Sequence, residues 1–203
     1  MFQKAAANAF GGLPRFPLSV VQEPIQWMPF QSAQRRVVIK EVNPLALEWL
    51  SERFAFDVLY LTRHPMAIAQ SFMRIGWWPK GKWQMAINRI EEIESRAAMT
   101  LERLPSRTVK YEDICEKPLL YFEEIFGWAG LQYDNTVKDF ILRTSQANVT
   151  DGYRSDTYGT KRNSRHMKDA WKLDCSEEDA QEFERLYKAS SLTTYRDPEY
   201  WLR

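Results

Sequence analysis

Hydrophobic positions along the chain fall into two patterns: short continuous runs, and longer stretches in which they recur every three or four residues. Short runs typical of buried strands occupy residues 35–40 (RRVVIK), 57–62 (DVLYLT) and 107–110 (RTVK). The spacing typical of an amphipathic helix is longest between residues 82 and 104. It is formed by Trp83, Ala86, Ile90, Ile93, Ala97, Leu101 and Leu104. The pattern therefore predicts three short strands and one long helix.

Prolines and small polar residues mark where further helices begin. A proline follows Asn43, His64 and Lys117, and proline is favoured in the first helical turn because its missing N–H needs no partner there. Another helix is predicted over residues 135–145. A last helix is predicted after Ser176, since the acidic residues that follow it suit the positive end of the helix dipole.

Strands that alternate with helices predict an α/β fold, in which a parallel sheet is flanked by helices. This domain is predicted to span residues 35–203. Residues 1–34 contain four prolines and predict an irregular N-terminal segment, while the polar stretch 147–170 predicts a loop. Ligands of such folds bind beyond the carboxyl ends of the strands, so the residues that directly follow the predicted strands are the first candidates for a site.

The chain is close to electrical neutrality, with 28 Lys and Arg residues against 27 Asp and Glu residues, so its overall charge indicates no nucleic-acid partner. Charge is unevenly placed, however. Residues 58–90 hold five basic residues and no acidic one, and residues 152–172 hold six basic and two acidic residues. The His and Cys residues form no zinc pattern, and no apolar run approaches a membrane span, so neither a metal nor a transmembrane segment is expected.

Arg63 is the strongest candidate that the residues themselves indicate. It follows a predicted buried strand and precedes a helix that starts at Pro65, where unpaired backbone N–H groups favour an anion. A guanidinium in that place suits a phosphate, and Ser71, two helical turns further on, could add a hydroxyl. The alternative is that Arg63 pairs with a carboxylate and Ser71 faces solvent.

The segment LYLTRHPMAIAQSF, residues 59–72, resembles the 3′-phosphate-binding segment of sulfotransferases that use 3′-phosphoadenosine 5′-phosphosulfate (PAPS). That segment has a hydrophobic strand, then Arg-x-Pro, then a serine eight residues after the arginine. The resemblance implies that Arg63 and Ser71 hold the 3′-phosphate of the donor. It also implies a P-loop NTPase-like parallel sheet flanked by helices.

Three further segments agree with the same family in order and spacing. VVIKEVNP (37–44) is similar to its lysine-containing strand end, and VKYEDICEKP (109–118) to its Tyr-Glu-Asp segment. TKRNSRHMKDAWKLDCSEED (160–179) is similar to the C-terminal loop of carbohydrate sulfotransferases. The resemblance implies cofactor contacts by Tyr111, Arg162 and Ser164. It implies catalytic roles for Lys40, facing the leaving phosphate, and for Glu41, a candidate general base beside the weaker candidate His64.

One part of the family's pattern is not found in this sequence. Sulfotransferases normally begin with a strand and a loop like Pro-x-Ser-Gly-Thr-Thr that binds the 5′-phosphosulfate, and nothing similar precedes Lys40. Two interpretations follow: a truncated gene, or a naturally shortened member that has lost catalysis or takes the loop from a partner. Without that first strand, apolar strand surface would be exposed, so self-association into a homo-oligomer is expected.

The function implied by the resemblance is transfer of a sulfuryl group from PAPS to a hydroxyl or amine of an acceptor, with a carbohydrate favoured. The tryptophan- and lysine-rich stretch 76–83 could line the acceptor site, or its tryptophans could pack in the core. The alternative function is a catalytically inactive fragment that binds a nucleotide or an anionic glycan. A cytoplasmic location is expected.

Overall fold

The computed structural model describes residues 2–12, 36–145 and 164–202, and the chain divides into two compact units, Met1–Phe56 and Asp57–Arg203. The first unit contains helix α1 (Phe2–Phe10) and helix α2 (Ala46–Ser51). Its core contact is aromatic: the rings of Phe10 and Phe54 stack with centroids 4.2 Å apart.

Two sequence predictions for this first unit are wrong. The segment 1–34 was expected to be irregular, yet it begins with α1; residues 13–35 lie outside the described residues. The strand expected at 35–40 is absent from its described part, residues 36–40, and Val38 is 84% exposed. A β-branched run becomes a strand only when a neighbouring strand accepts its hydrogen bonds, and the described part of this unit contains none.

The second unit is an α/β structure built on two parallel strands, β1 (Val58–Thr62) and β2 (Ser106–Lys110). Thr62 pairs with Lys110, so both strands end at the same edge. Helices α3 (Pro65–Arg74) and α4 (Trp83–Leu101) form the connection between them. This confirms both of these predicted strands and a parallel sheet flanked by helices.

Six more helices follow β2 in the described part of this unit. They are α5 (Tyr111–Glu116), α6 (Pro118–Trp128), α7 (Asn135–Ser145), α8 (Ser164–Lys168), α9 (Ala170–Leu173) and α10 (Glu177–Ala189), before a 3-10 turn at Pro198–Trp201. Ser176 caps α10 as predicted, because its hydroxyl accepts the Asp179 N–H at 3.1 Å. Helix α8 and the start of α9 lie within the stretch 147–170 that was predicted to be a loop, and residues 146–163 lie outside the described residues.

The core of this unit lies on one side of β1. Alternate residues of β1 are buried, while Leu59 and Leu61 between them are 42% and 51% exposed. The core combines side chains from α3, α4, α10 and the C-terminal turn, among them Met66, Ile87, Phe183, Tyr187 and Trp201. In the described ranges, no helix is both long enough and apolar enough to span a bilayer. The hydrophobic core joins the C-terminal segment to helices α3 and α4.

Candidate anion site at the strand ends

The carboxyl ends of β1 and β2 bring two of the predicted site residues together. The guanidinium carbon of Arg63 lies 4.8 Å from the centre of the Tyr111 ring, a cation–π contact. The Nε of Arg63 is buried and has no hydrogen-bond partner among the described residues. An unpaired buried donor on a cation is costly, so this atom is suited to a ligand with acceptor oxygens.

A carboxylate ties the two strand ends to each other. Glu112 Oε1 accepts the backbone N–H of His64 at 2.9 Å, and Glu112 Oε2 accepts the phenol of Tyr195 at 2.7 Å. The first bond links the start of α5 to the turn that carries Arg63. Glu112 thereby holds the backbone of this turn in place while leaving the Arg63 side chain facing Tyr111.

Hydrogen bonds to the backbone of Tyr195 also fix its position. Its N–H donates to Tyr187 Oη at 3.0 Å, and its carbonyl accepts the indole N–H of Trp201 at 2.7 Å. Burial, followed by the charge of Glu112, raises the pKa of Tyr195 far above its ordinary value. The phenol therefore stays protonated and acts as a hydrogen-bond donor.

His64 is enclosed by aromatic rings and is only 2% exposed. Its ring stacks on Trp171 at 4.4 Å with an angle of 6°, and Trp201 meets it edge-on at 4.5 Å. Neither ring nitrogen has a hydrogen-bond partner among the described residues. Burial lowers the pKa of His64 to about 3, and the charges of Lys172 and Arg63 add to this effect. The ring is therefore neutral near pH 7, and its surroundings suit packing better than proton transfer to an acceptor.

The other predicted cofactor-binding residues form no hydrogen bond with Arg63 or Tyr111 among the described residues. Ser71 is half-exposed in the last turns of α3. Ser164 begins α8, which packs against α5, and an ion pair between Lys168 and Glu116 joins these two helices. Arg162 lies outside the described residues. The segment that contains Ser164 thus contacts the helix that begins with Tyr111.

Lys40 and Glu41, the predicted catalytic residues, belong to the first unit and are both exposed. Glu41 Oε1 accepts the backbone N–H groups of Val42 and Asn43, each at 2.8 Å. This carboxylate organises the turn that leads into α2, a local role that the sequence pattern did not indicate.

Sequence reasoning missed the residues that support the site. Glu112 belongs to the residues after a predicted strand that were the first candidates for a site, but the sequence assigned no role to it. Tyr195 and Trp201 carried no comparable signal, because they come from an irregular C-terminal stretch without periodicity. The described residues contain no cluster of three His, Cys, Asp or Glu side chains arranged to hold a metal ion.

The second unit is thus an α/β structure with an arginine site at the carboxyl edge of two parallel strands. The chain is 26% identical over 162 residues to carbohydrate sulfotransferase 1 of Homo sapiens, a match that covers 70% of this chain and 39% of the relative. It is 26% identical over 163 residues to carbohydrate sulfotransferase 3 of Mus musculus, covering 68% of this chain and 34% of that relative. The similarity to sulfotransferases that the motifs indicated is confirmed.

These matches cover only part of the curated relatives, since the chain aligns with about a third to two-fifths of their length. No protein-family model matches the chain, and no solved structure matches it significantly.

Proposed function

We propose that this chain binds the 3′-phosphate of PAPS and acts as a sulfotransferase. The sulfuryl group would be transferred to a hydroxyl or amine of a carbohydrate. The observation that carries the proposal is the Arg63 side chain, which lies over the Tyr111 ring and has a buried Nε without a partner among the described residues. The names of the relatives favour a carbohydrate acceptor.

The local chemistry supports a phosphate at this place. Guanidinium groups form paired, charge-assisted hydrogen bonds with phosphate oxygens. Arg63 also adjoins the N-terminus of the ten-residue helix α3, whose dipole favours negative charge. Among the described residues Arg63 forms no ion pair with Glu112, whose oxygens accept hydrogen bonds from the His64 backbone and the Tyr195 phenol.

The proposal also gives roles to the other predicted site residues. Ser71 and Ser164 would add hydroxyl donors to the donor nucleotide, and Arg162 would add a second cation. PAPS supplies the sulfuryl group when bound. Lys40 would stabilise charge on the leaving phosphate, and Glu41 would accept the acceptor's proton, within a P-loop NTPase-like arrangement.

Calorimetric titration of the purified chain with adenosine 3′,5′-bisphosphate tests the proposal. We expect saturable binding that Arg63→Ala weakens by about 10- to 100-fold, the loss of one or two charge-assisted hydrogen bonds. Adenosine 5′-monophosphate, which lacks the 3′-phosphate, should bind more weakly to the wild type and be little affected by the substitution.

Arg53→Ala is the matched control. Arg53 also lies over an aromatic ring, with its guanidinium carbon 4.6 Å from the centre of the Trp49 ring, but it belongs to the first unit and follows no strand. Binding should be unchanged in Arg53→Ala. A folded wild type that does not bind the bisphosphate, or an Arg63→Ala variant that binds it equally well, would overturn the proposal.

A further inference from the structure

The stretch from the end of α3 to the first residue of α4 holds three tryptophans with very different surroundings. Trp83 is 9% exposed, and its indole N–H donates to Asp179 Oδ1 at 2.8 Å, so it belongs to the core. Trp78 is half-buried. Trp77 is 68% exposed, an unusual position for the largest side chain in proteins. An exposed aromatic side chain that is held in place is a common feature of binding surfaces.

The Trp77 indole is held by contacts within its own segment. Its ring stacks on Phe72 at 5.4 Å with an angle of 22°, and Trp78 packs on the same phenyl ring at 4.7 Å. The backbone N–H groups of both tryptophans donate to the Phe72 carbonyl, at 3.0 and 3.3 Å. Gly76 makes this turn possible with a φ of +78°, a conformation that disfavours other residues. The indole is therefore preorganised, which lowers the entropy cost of binding a ligand.

Two lysines follow Trp77 closely in the chain. Lys80 and Lys82 are both exposed, and neither forms an ion pair with any described residue. Gly81 between them has a φ of +69° and nothing within 4 Å of the place where a Cβ would be, so this turn is open to solvent. Because residues 58–90 contain no Asp or Glu, no neighbour along the segment offsets these charges. The segment therefore presents one exposed apolar face, followed three and five residues later in the chain by two exposed lysines that form no ion pair with a described residue.

We propose that Trp77, Lys80 and Lys82 form a binding site for an acidic oligosaccharide. The apolar C–H face of a pyranose ring would pack on the indole, and its carboxylate or sulfate groups would pair with the lysines. This inference rests on the proposed function, because it assigns the surface to the carbohydrate acceptor. A nucleic acid fits less well. Proteins that stack bases on aromatic side chains place those side chains in a strongly basic groove, whereas this chain has a net charge of +1.

The surface and the Arg63 site lie beyond opposite ends of α3. A helix of ten residues is about 15 Å long, so the two sites are separate and their ligands can be titrated independently. Binding of the bisphosphate therefore reports on the proposed function, and binding of the oligosaccharide reports on this inference.

The test is calorimetric titration with a hyaluronan hexasaccharide, which carries a carboxylate on every second sugar, and with neutral maltohexaose. We expect saturable binding of the hyaluronan fragment and at least about tenfold weaker binding of maltohexaose. Trp77→Ala and the double variant Lys80→Gln/Lys82→Gln should each weaken hyaluronan binding by about tenfold, while Trp77→Tyr should retain most of it. Bisphosphate binding should be unchanged in all three variants.

Phe140→Ala and Lys138→Gln on α7 are the matched controls. Phe140 is 60% exposed, and Lys138 lies near the Tyr133 ring, so they reproduce an exposed aromatic group and a lysine at a different surface. Neither should change hyaluronan binding. Equal binding by wild type and Trp77→Ala, tighter binding of oligo(dT) than of the hexasaccharide, or no hexasaccharide binding by a wild type that binds the bisphosphate would each overturn the inference. A wild type that binds the hexasaccharide through Trp77 but not the bisphosphate would instead overturn the proposed function.

Discussion

The phenol of Tyr195 donates a 2.7 Å hydrogen bond to the carboxylate of Glu112, a residue 83 positions earlier in the chain. The same carboxylate accepts the backbone N–H of His64, which follows Arg63 directly. The side chain of Glu112 thus links the C-terminal segment to the turn that carries the proposed anion site. The geometry of Arg63 therefore depends on residues that no local motif contains.

Tyr195→Phe should weaken this support without removing the aromatic ring. The Glu112 carboxylate loses one donor in a half-buried place, which costs about 1–3 kcal/mol of folding free energy. We also expect weaker binding of adenosine 3′,5′-bisphosphate, because the turn at Arg63 is less firmly held. Urea unfolding and calorimetric titration measure the two effects.

Tyr133→Phe is the control that distinguishes a loss of folding stability from a loss of bisphosphate affinity. The Tyr133 phenol donates to the Leu119 carbonyl at 2.8 Å, a bond that joins α6 to the residues before α7. This variant should also be less stable, but its affinity for the bisphosphate should equal that of the wild type. Equal affinity of wild type and Tyr195→Phe would show that the Tyr195 bond has no positioning role.

Tyr111 is expected to act through its ring, which lies beneath the Arg63 guanidinium. Tyr111→Leu removes the cation–π contact, worth about 0.5–1 kcal/mol or more, so bisphosphate affinity should fall about two- to fivefold. Tyr111→Phe retains the ring and should bind nearly as the wild type does. A larger loss in Tyr111→Phe than in Tyr111→Leu would point instead to a contact made by the hydroxyl.

Stability should fall in mild acid because of His64. Its pKa in the folded chain is lowered to about 3 from an ordinary value of 6.5, so between these values the unfolded chain binds a proton that the folded chain does not. The corresponding stability is complete above pH 6.5 and is lost as the pH falls towards 3. At pH 5 the loss amounts to about 2 kcal/mol, which urea unfolding at pH 7 and pH 5 measures.

His64→Phe should reduce this pH dependence, since phenylalanine preserves the stacking on Trp171 and cannot be protonated. His166→Gln serves as the control: His166 is exposed on α8, so this variant should keep the wild-type dependence. Identical pH profiles for wild type and His64→Phe would contradict the assignment of the effect to His64.

Ser176→Ala should destabilise the protein by about 1 kcal/mol, because the Asp179 N–H loses the hydroxyl that caps α10. The effect should be visible as a lower midpoint in urea without a change in the slope of the transition. Ser95→Ala tests the same substitution at an exposed position inside α4, where alanine favours the helix. That variant should be as stable as the wild type or slightly more stable.

Several elements of the second unit follow from short stretches of sequence. The apolar runs before Arg63 and before Tyr111 form strands, Pro65 and Pro118 begin helices, and Ser176 caps the last long helix. Each of these signals depends on interactions within a few residues, namely periodicity, the fixed φ of proline, or a side chain that bonds the next turn. They can therefore be recognised without knowledge of the packing.

The run at 36–40 shows where such local signals fail. Its β-branched residues have the composition of a buried strand, yet Val38 is exposed and the segment forms no strand. Pairing partners decide whether an extended run becomes a strand, and a partner is a property of the whole fold.

The sequence by itself thus determined several local elements of the second unit and the position of Arg63 between a strand and a helix. Only the tertiary structure decided that Tyr195 supports Glu112, that His64 is packed between rings, and that Trp77 is exposed while Trp83 is buried. The physical reason is the range of the interactions. Caps and periodicity act within one or two turns, whereas burial and hydrogen bonds between distant segments depend on which surfaces the folded chain brings together.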